Sequence, residues 1–173
     1  MQGHGLRQQH ESGSDLPLSE VTENLMQIHM NIFRGIIAGL LATAILSLLM
    51  LSPWLPPQFE TVTLLIGIAR VILEGSGLPA PFAGWLWFFA IGGVWWGTWF
   101  AIIAPIIPGR TFLAKGAVFG LVTGLLVIWT VMPLAAGGAL GMKLSLWQPL
   151  VTVSEHLVYG LALGLIYRWL DRR

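Results

Sequence analysis

Cysteine is missing altogether from the 173 residues. With it go a disulfide framework, thiolate metal ligands and a cysteine nucleophile. Charge is almost as scarce: Asp, Glu, Lys and Arg make up 10% of the chain, against about a quarter in an ordinary soluble domain, which argues against a soluble fold. The net charge of +1 and the lack of a long basic run before the last few residues argue against a nucleic-acid partner. No glycine-rich phosphate loop, nucleophile elbow or paired-carboxylate arrangement occurs, so no catalytic machinery is visible and the chain reads as a non-enzyme. Near the start, Glu11, Asp15, Glu20 and Glu23 stand beside the single base Arg7. That is not the basic segment followed at once by an apolar run that marks a secretory signal, so the first apolar span is expected to stay uncleaved.

What the chain has instead is apolar: 55% hydrophobic residues and a mean hydropathy of +0.77. Four membrane spans of about 20 residues each would use roughly half of this length, leaving no room for a second folded domain. The expected fold is therefore all-α and polytopic: four transmembrane helices, one short interfacial helix and a polar N-terminal arm.

Residues 1–30 form the arm. It is rich in Gly, Ser, Gln and His up to Leu16-Pro17-Leu18, after which Ser19 offers an N-cap with Glu20 and Glu23 in the first turn. Val21, Leu25, Ile28 and Ile32 recur at helical spacing, so residues near the end of the arm read either as an amphipathic surface helix or as an extension of the first span. The four-helix transmembrane domain occupies 31–173, with spans at about 33–52, 84–107, 114–133 and 149–168. Pro53, Pro56 and Pro57 end the first span. Residues 61–73 are apolar but too short to cross, and Glu60, Arg70 and Glu74 bracket them, which suits an interfacial helix. Pro149 suits the first turn of the fourth span.

Arg34, Arg110, Lys115, Arg168, Arg172 and Arg173 fall on one side if the spans alternate, leaving only Arg70 and Lys143 on the other. The basic side is expected to face the cytoplasm, with both termini there. Trp54, Trp85, Trp87 and Trp147 would then form an outer aromatic belt, and Trp169 an inner one.

Each span carries glycines at helical spacing: Gly35 and Gly39, Gly93 and Gly97, Gly116 with Gly120 and Gly124, and Gly160 with Gly164. Such strips let helices approach closely where lipid gives no hydrophobic drive to association. The contacts could lie within the chain, the favoured reading, or against partner subunits. Glu155 and His156 are the one ionisable pair inside an expected span, and Tyr159 lies one turn on. They could gather Thr152, Ser154 or Thr130 into a polar cluster. Its functional reading is a proton relay, a solute contact or a cofactor ligand; its bland reading, the preferred one, is a hydrogen-bonded structural knot. His156 has no histidine partner within the bilayer for a haem, and the spacing of His4, His10 and His29 gives a metal no support, so no metal and no cofactor is expected. Trp95, Trp96 and Trp99 crowd the second span and read first as lipid-facing aromatics, second as walls for a quinone or lipid tail.

In order along residues 32–170, Gly84-Trp85, Gly97 with Phe100-Ala101, Pro105, Pro108-Gly109, Phe119-Gly120, Met132-Pro133 and the run His156-Leu157-Val158-Tyr159-Gly160 followed by Gly164 and Tyr167 are laid out distinctively. The pattern, above all its His-x-x-Tyr-Gly-x-x-x-Gly end, resembles a family of small four-helix bacterial and archaeal membrane proteins of unknown function. The resemblance implies the cytoplasmic (inner) membrane of such a cell. Some related proteins are associated with acid resistance, and similar chains with respiratory oxidase components. A non-catalytic accessory or assembly subunit of a larger membrane complex, respiratory or electron-transfer, is thus the leading expectation, with other membrane subunits and lipid as partners. The alternative is a small carrier or proton-handling protein using Glu155, His156 and Tyr159.

Overall fold

In the computed structural model, residues 17–51, 77–134 and 146–172 are described. Most of the polar arm with His4 and His10, the expected interfacial helix at 61–73 with Arg70 and Glu74, Trp54, Lys143 and Arg173 lie outside them. The chain divides into two units, Met1–Met30 and Asn31–Arg173.

Helix α1 is Leu18–Met50. It begins one residue ahead of the expected cap Ser19: the carbonyl of Pro17 accepts the amides of Glu20 (2.9 Å) and Val21 (3.2 Å), so Ser19 is already helical. Glu20 sits in the first turn, where the helix dipole favours an acid. Within the first unit Val21, Leu25 and Ile28 are all exposed.

The second unit contains the rest of α1 and three further helices: α2 (Ala80–Ile103), α3 (Phe112–Leu134) and α4 (Gln148–Asp171). Among the described residues the fold is all-α, and four helices are long and apolar enough to cross a membrane. Local chemistry sets their ends. Pro79 and Pro81 open α2 rather than delaying it to Gly84, because a first turn has no use for the missing amide. Its far end comes at Ile103, not Ile107: Ala104, still in the right-handed helical region, is the C-cap, and Pro105 has no amide with which to continue the ladder. Gly109, at φ 137°, reverses the chain in a conformation that side chains disfavour. Thr111 Oγ1 then accepts the amide of Ala114 at 3.1 Å and caps α3. Lys115 Nζ donates to the Ala104 carbonyl at 2.6 Å, closing the end of α2. Pro149 lies in the first turn of α4, and the last turn reaches Asp171, whose Oδ1 pairs with Arg34 of α1 at 3.1 Å.

The helices meet as two antiparallel pairs. Between α1 and α2, a Cβ on Gly35 would overlap the Gly97 carbonyl and stand 2.7 Å from Ala101 Cβ, and one on Gly39 would overlap the Gly93 carbonyl. Between α3 and α4, added Cβ atoms on Gly116 and Gly160 would each overlap the other's carbonyl, and one on Gly164 that of Phe112. Glycine thus sits where backbone touches backbone. Aromatic side chains join the pairs: Phe100 of α2 contacts Phe119 of α3 (5.3 Å between centroids) and Tyr167 of α4 (5.5 Å). Phe100 and Leu163 are fully buried in this centre, with Ala38 and Ala42 of α1 behind them. Hydroxyls inside the spans turn back to their own helices: Thr43 to Gly39, Ser47 to Thr43 and Thr123 to Phe119, at 2.8–3.0 Å. That is how such groups are satisfied away from water.

Candidate functional site

Glu155, His156 and Tyr159 lie three, four and seven residues after Thr152, so α4 presents the four as one stripe, and all four line a single cavity. The cavity has a volume of about 310 Å³ and lies between the C-terminal halves of α1 and α3 and the N-terminal halves of α2 and α4. Its other walls are almost wholly apolar: Leu46 and Met50 from α1, Trp87, Phe88 and Trp96 from α2, Val127 and Val131 from α3. Among the described residues, Arg34, Arg110, Lys115, Arg168, Asp171 and Arg172 all belong to the opposite end of the bundle, so nothing described offers Glu155 a counter-charge.

Each polar group of the stripe is held differently. The His156 Nδ1 lies 2.8 Å from the Thr152 carbonyl, one turn back. A carbonyl only accepts, so Nδ1 carries the proton, and in the neutral ring Nε2 is left as an acceptor. Room for the imidazole comes from α3: Gly124 would bring a Cβ to 3.0 Å from His156 Cβ, and one on Gly120 would overlap the His156 carbonyl. The glycine strip is therefore also the bed on which His156 rests. Gln148 Nε2 donates to Thr152 Oγ1 at 3.3 Å. Tyr159 Oη donates to the carbonyl of Gly92 in α2 at 2.5 Å. Glu155 differs from the rest: its Oε1 is buried without a hydrogen-bond partner.

The partner of Tyr159 belongs to a stretch of α2 that is not α-helical. Ala90–Trp96 is wound as a π-helix, a rare form that rotates the side chains after it and opens backbone carbonyls to other donors. Gly92 fits there because Thr43 Oγ1 would stand 2.5 Å from any Cβ. The three tryptophans divide accordingly: Trp96 faces the cavity and stacks edge-on against Phe119 at 5.9 Å, whereas Trp95 and Trp99 pair with each other and are exposed.

Residues 29–173 match a family model. The chain belongs to DUF6789, a family of unknown function. No curated protein and no solved structure matches it.

Of the polar residues that sequence brings near Glu155 in this DUF6789 member, two are elsewhere. Thr130 is exposed and donates to the Leu126 carbonyl at 2.6 Å, and Ser154, also exposed, donates to Leu150 at 2.8 Å. Their helical phase explains it, since Ser154 falls off the stripe that Thr152, Glu155, His156 and Tyr159 share. Gly92, Thr43 and Gln148, all at or beside the site, carried no signal in the sequence beyond their type. His29 is exposed and bonds the Leu25 carbonyl at 2.7 Å. Among the described residues no group of three or more His, Cys, Asp or Glu could hold a metal.

Proposed function

We propose that this protein is a non-catalytic accessory subunit of a membrane assembly, and that its contribution is to hold a lipophilic small molecule inside the bilayer. The observation that carries this reading is the cavity: its volume, about 310 Å³, lies at the lower end of the range for ligand pockets, and its described walls are apolar apart from Thr43 of α1 and the polar stripe on α4. Intramembrane ionisable groups are expensive and are functional candidates by default. Here one of them, Glu155, has an unmet oxygen at the cavity.

The host complex, respiratory or electron-transfer, rests on the family resemblance. The cytoplasmic membrane of a bacterium or archaeon is part of the same proposal. Both termini would lie in the cytoplasm and the cavity in the outer half of the bilayer, on the strength of the bases grouped at the Arg34 end. A carrier of protons or solutes fits the interior less well. Phe100, Phe119, Leu163 and Tyr167 fill the bundle between Tyr159 and the Arg34–Asp171 pair, and the hydroxyls near the cavity are spent on their own helices.

The test is to purify the protein in nanodiscs and identify co-eluting lipophiles and subunits by mass spectrometry, beside Val131→Trp, which fills the cavity. A lipophile retained by the native protein and lost from the variant supports the binding role. The same small molecules at the same level in both would sink it. Stoichiometric co-elution of other membrane subunits supports the accessory role, and elution of the chain by itself would remove it.

A further inference from the structure

The geometry points to the kind of molecule that the cavity selects: a lipophile whose head is a small ring bearing a hydrogen-bond donor, a phenol or hydroquinone-type hydroxyl. This rests on the binding role proposed above. The argument is one of donors and acceptors. Tyr159 has its only proton committed to Gly92 O, so the phenolic oxygen has only lone pairs left to offer. His156 has its Nδ1 proton committed to Thr152 O, leaving Nε2 an acceptor in the neutral ring. The Glu155 carboxyl brings acceptor oxygens, one of them buried and unmet. Tyr159 and His156 therefore offer acceptors only, and Glu155 keeps acceptor capacity whether or not its carboxyl holds a proton, so the stripe favours a ligand that donates. One that only accepts, such as an ether, leaves the Tyr159 oxygen and His156 Nε2 unpaired, and unpaired buried groups are what discriminate most strongly between ligands.

Two further features narrow the class. The described wall holds no Lys or Arg, so a phosphate head would enter without a counter-charge. Trp87, Phe88 and Trp96 form one side, which suits a flat ring by stacking. About 310 Å³ holds a ring and a short length of chain, not a two-tailed lipid, so the remainder of the tail belongs in the bilayer.

Tritiated 4-decylphenol and its methyl ether, 4-decylanisole, differ by one O–H and are the probes. Their binding to the protein in nanodiscs is measured against empty nanodiscs. The phenol is expected to bind at least about tenfold tighter, the value of one hydrogen bond to a buried charged or polar group. In Glu155→Met, which keeps the side-chain length and removes one acceptor group, the ratio should fall but stay above one, because His156 Nε2 and the Tyr159 oxygen remain, while the anisole still binds, showing that the cavity is intact. Equal binding of both probes to the native protein overturns the donor preference and leaves the binding role standing. Absence of protein-dependent binding for either probe removes the binding role itself, and this inference with it.

Discussion

Replacing Gly160 by Ala probes one of the tight backbone contacts in the α3–α4 seam. An ideal Cβ there would overlap the Gly116 carbonyl and stand 2.7 Å from Gly120 Cα and 2.8 Å from Gly120 N. Carbon atoms rest at about 3.5–4.0 Å, so α3 and α4 would have to separate by about an ångström. All three obstructing atoms are backbone, and no side chain can swing aside. Overpacking of this kind costs about 1–3 kcal/mol, and a clash with backbone belongs at the upper end. Against it, Ala gains about 1 kcal/mol over Gly in helix propensity. The net expectation is a loss of about 2 kcal/mol. Reversible unfolding in mixed micelles, followed by tryptophan fluorescence, reads this directly. Leu165→Ala, on the same helix at an exposed position, serves as control and should change stability by less than about 0.5 kcal/mol. If Gly160→Ala is as stable as the native protein, or more stable, then propensity alone governs the site and the α3–α4 seam is not the close contact described.

Tyr159→Phe removes the donor to Gly92 O and should cost about 1–3 kcal/mol. Hydrogen exchange of the amides in Ala90–Trp96 should rise with it, and unchanged exchange there would show that the π-helical stretch does not depend on this bond. Because the native chain has no cysteine, single substitutions report topology cleanly. Leu146→Cys and Arg172→Cys, at opposite ends of α4, should react with a membrane-impermeant maleimide from opposite faces of sealed vesicles, and labelling of both from one face would refute a spanning α4.

The all-α fold was readable from hydropathy and from punctuation, because a bilayer accepts few other solutions. Proline was the less reliable part of that punctuation. Pro149 and Pro81 fall in first turns, where proline is harmless, whereas Pro105 stops α2 four residues before its apolar run ends. Hydropathy alone does not separate these cases. The site was only half legible. Glu155, His156 and Tyr159 stand out as polar residues in a span, but a cavity is a property of four helices at once and has no linear signature. The division of Trp95, Trp96 and Trp99 depends on the π-helical stretch that contains the first two and precedes the third. That stretch rests on long-range partners, Tyr159 and Thr43, that no local window contains.

The arrangement of glycines also bears on how the molecule is assembled and how it can deform. Each seam locks two successive helices backbone to backbone, so each half of the second unit is a hairpin complete in itself, and the halves touch through side chains such as Phe100, Phe119 and Tyr167. Hairpins of this kind suit pairwise insertion during synthesis, and a chain cut at Arg110 leaves both seams whole, so two separately made fragments retain what they need to reassociate. The cavity lies on the boundary between them. A change in its size by one hairpin sliding on the aromatic contacts of the other would act on the bonds that cross this boundary, Tyr159 to Gly92 beside the cavity and Lys115 to Ala104 and Arg34 to Asp171 at the far end.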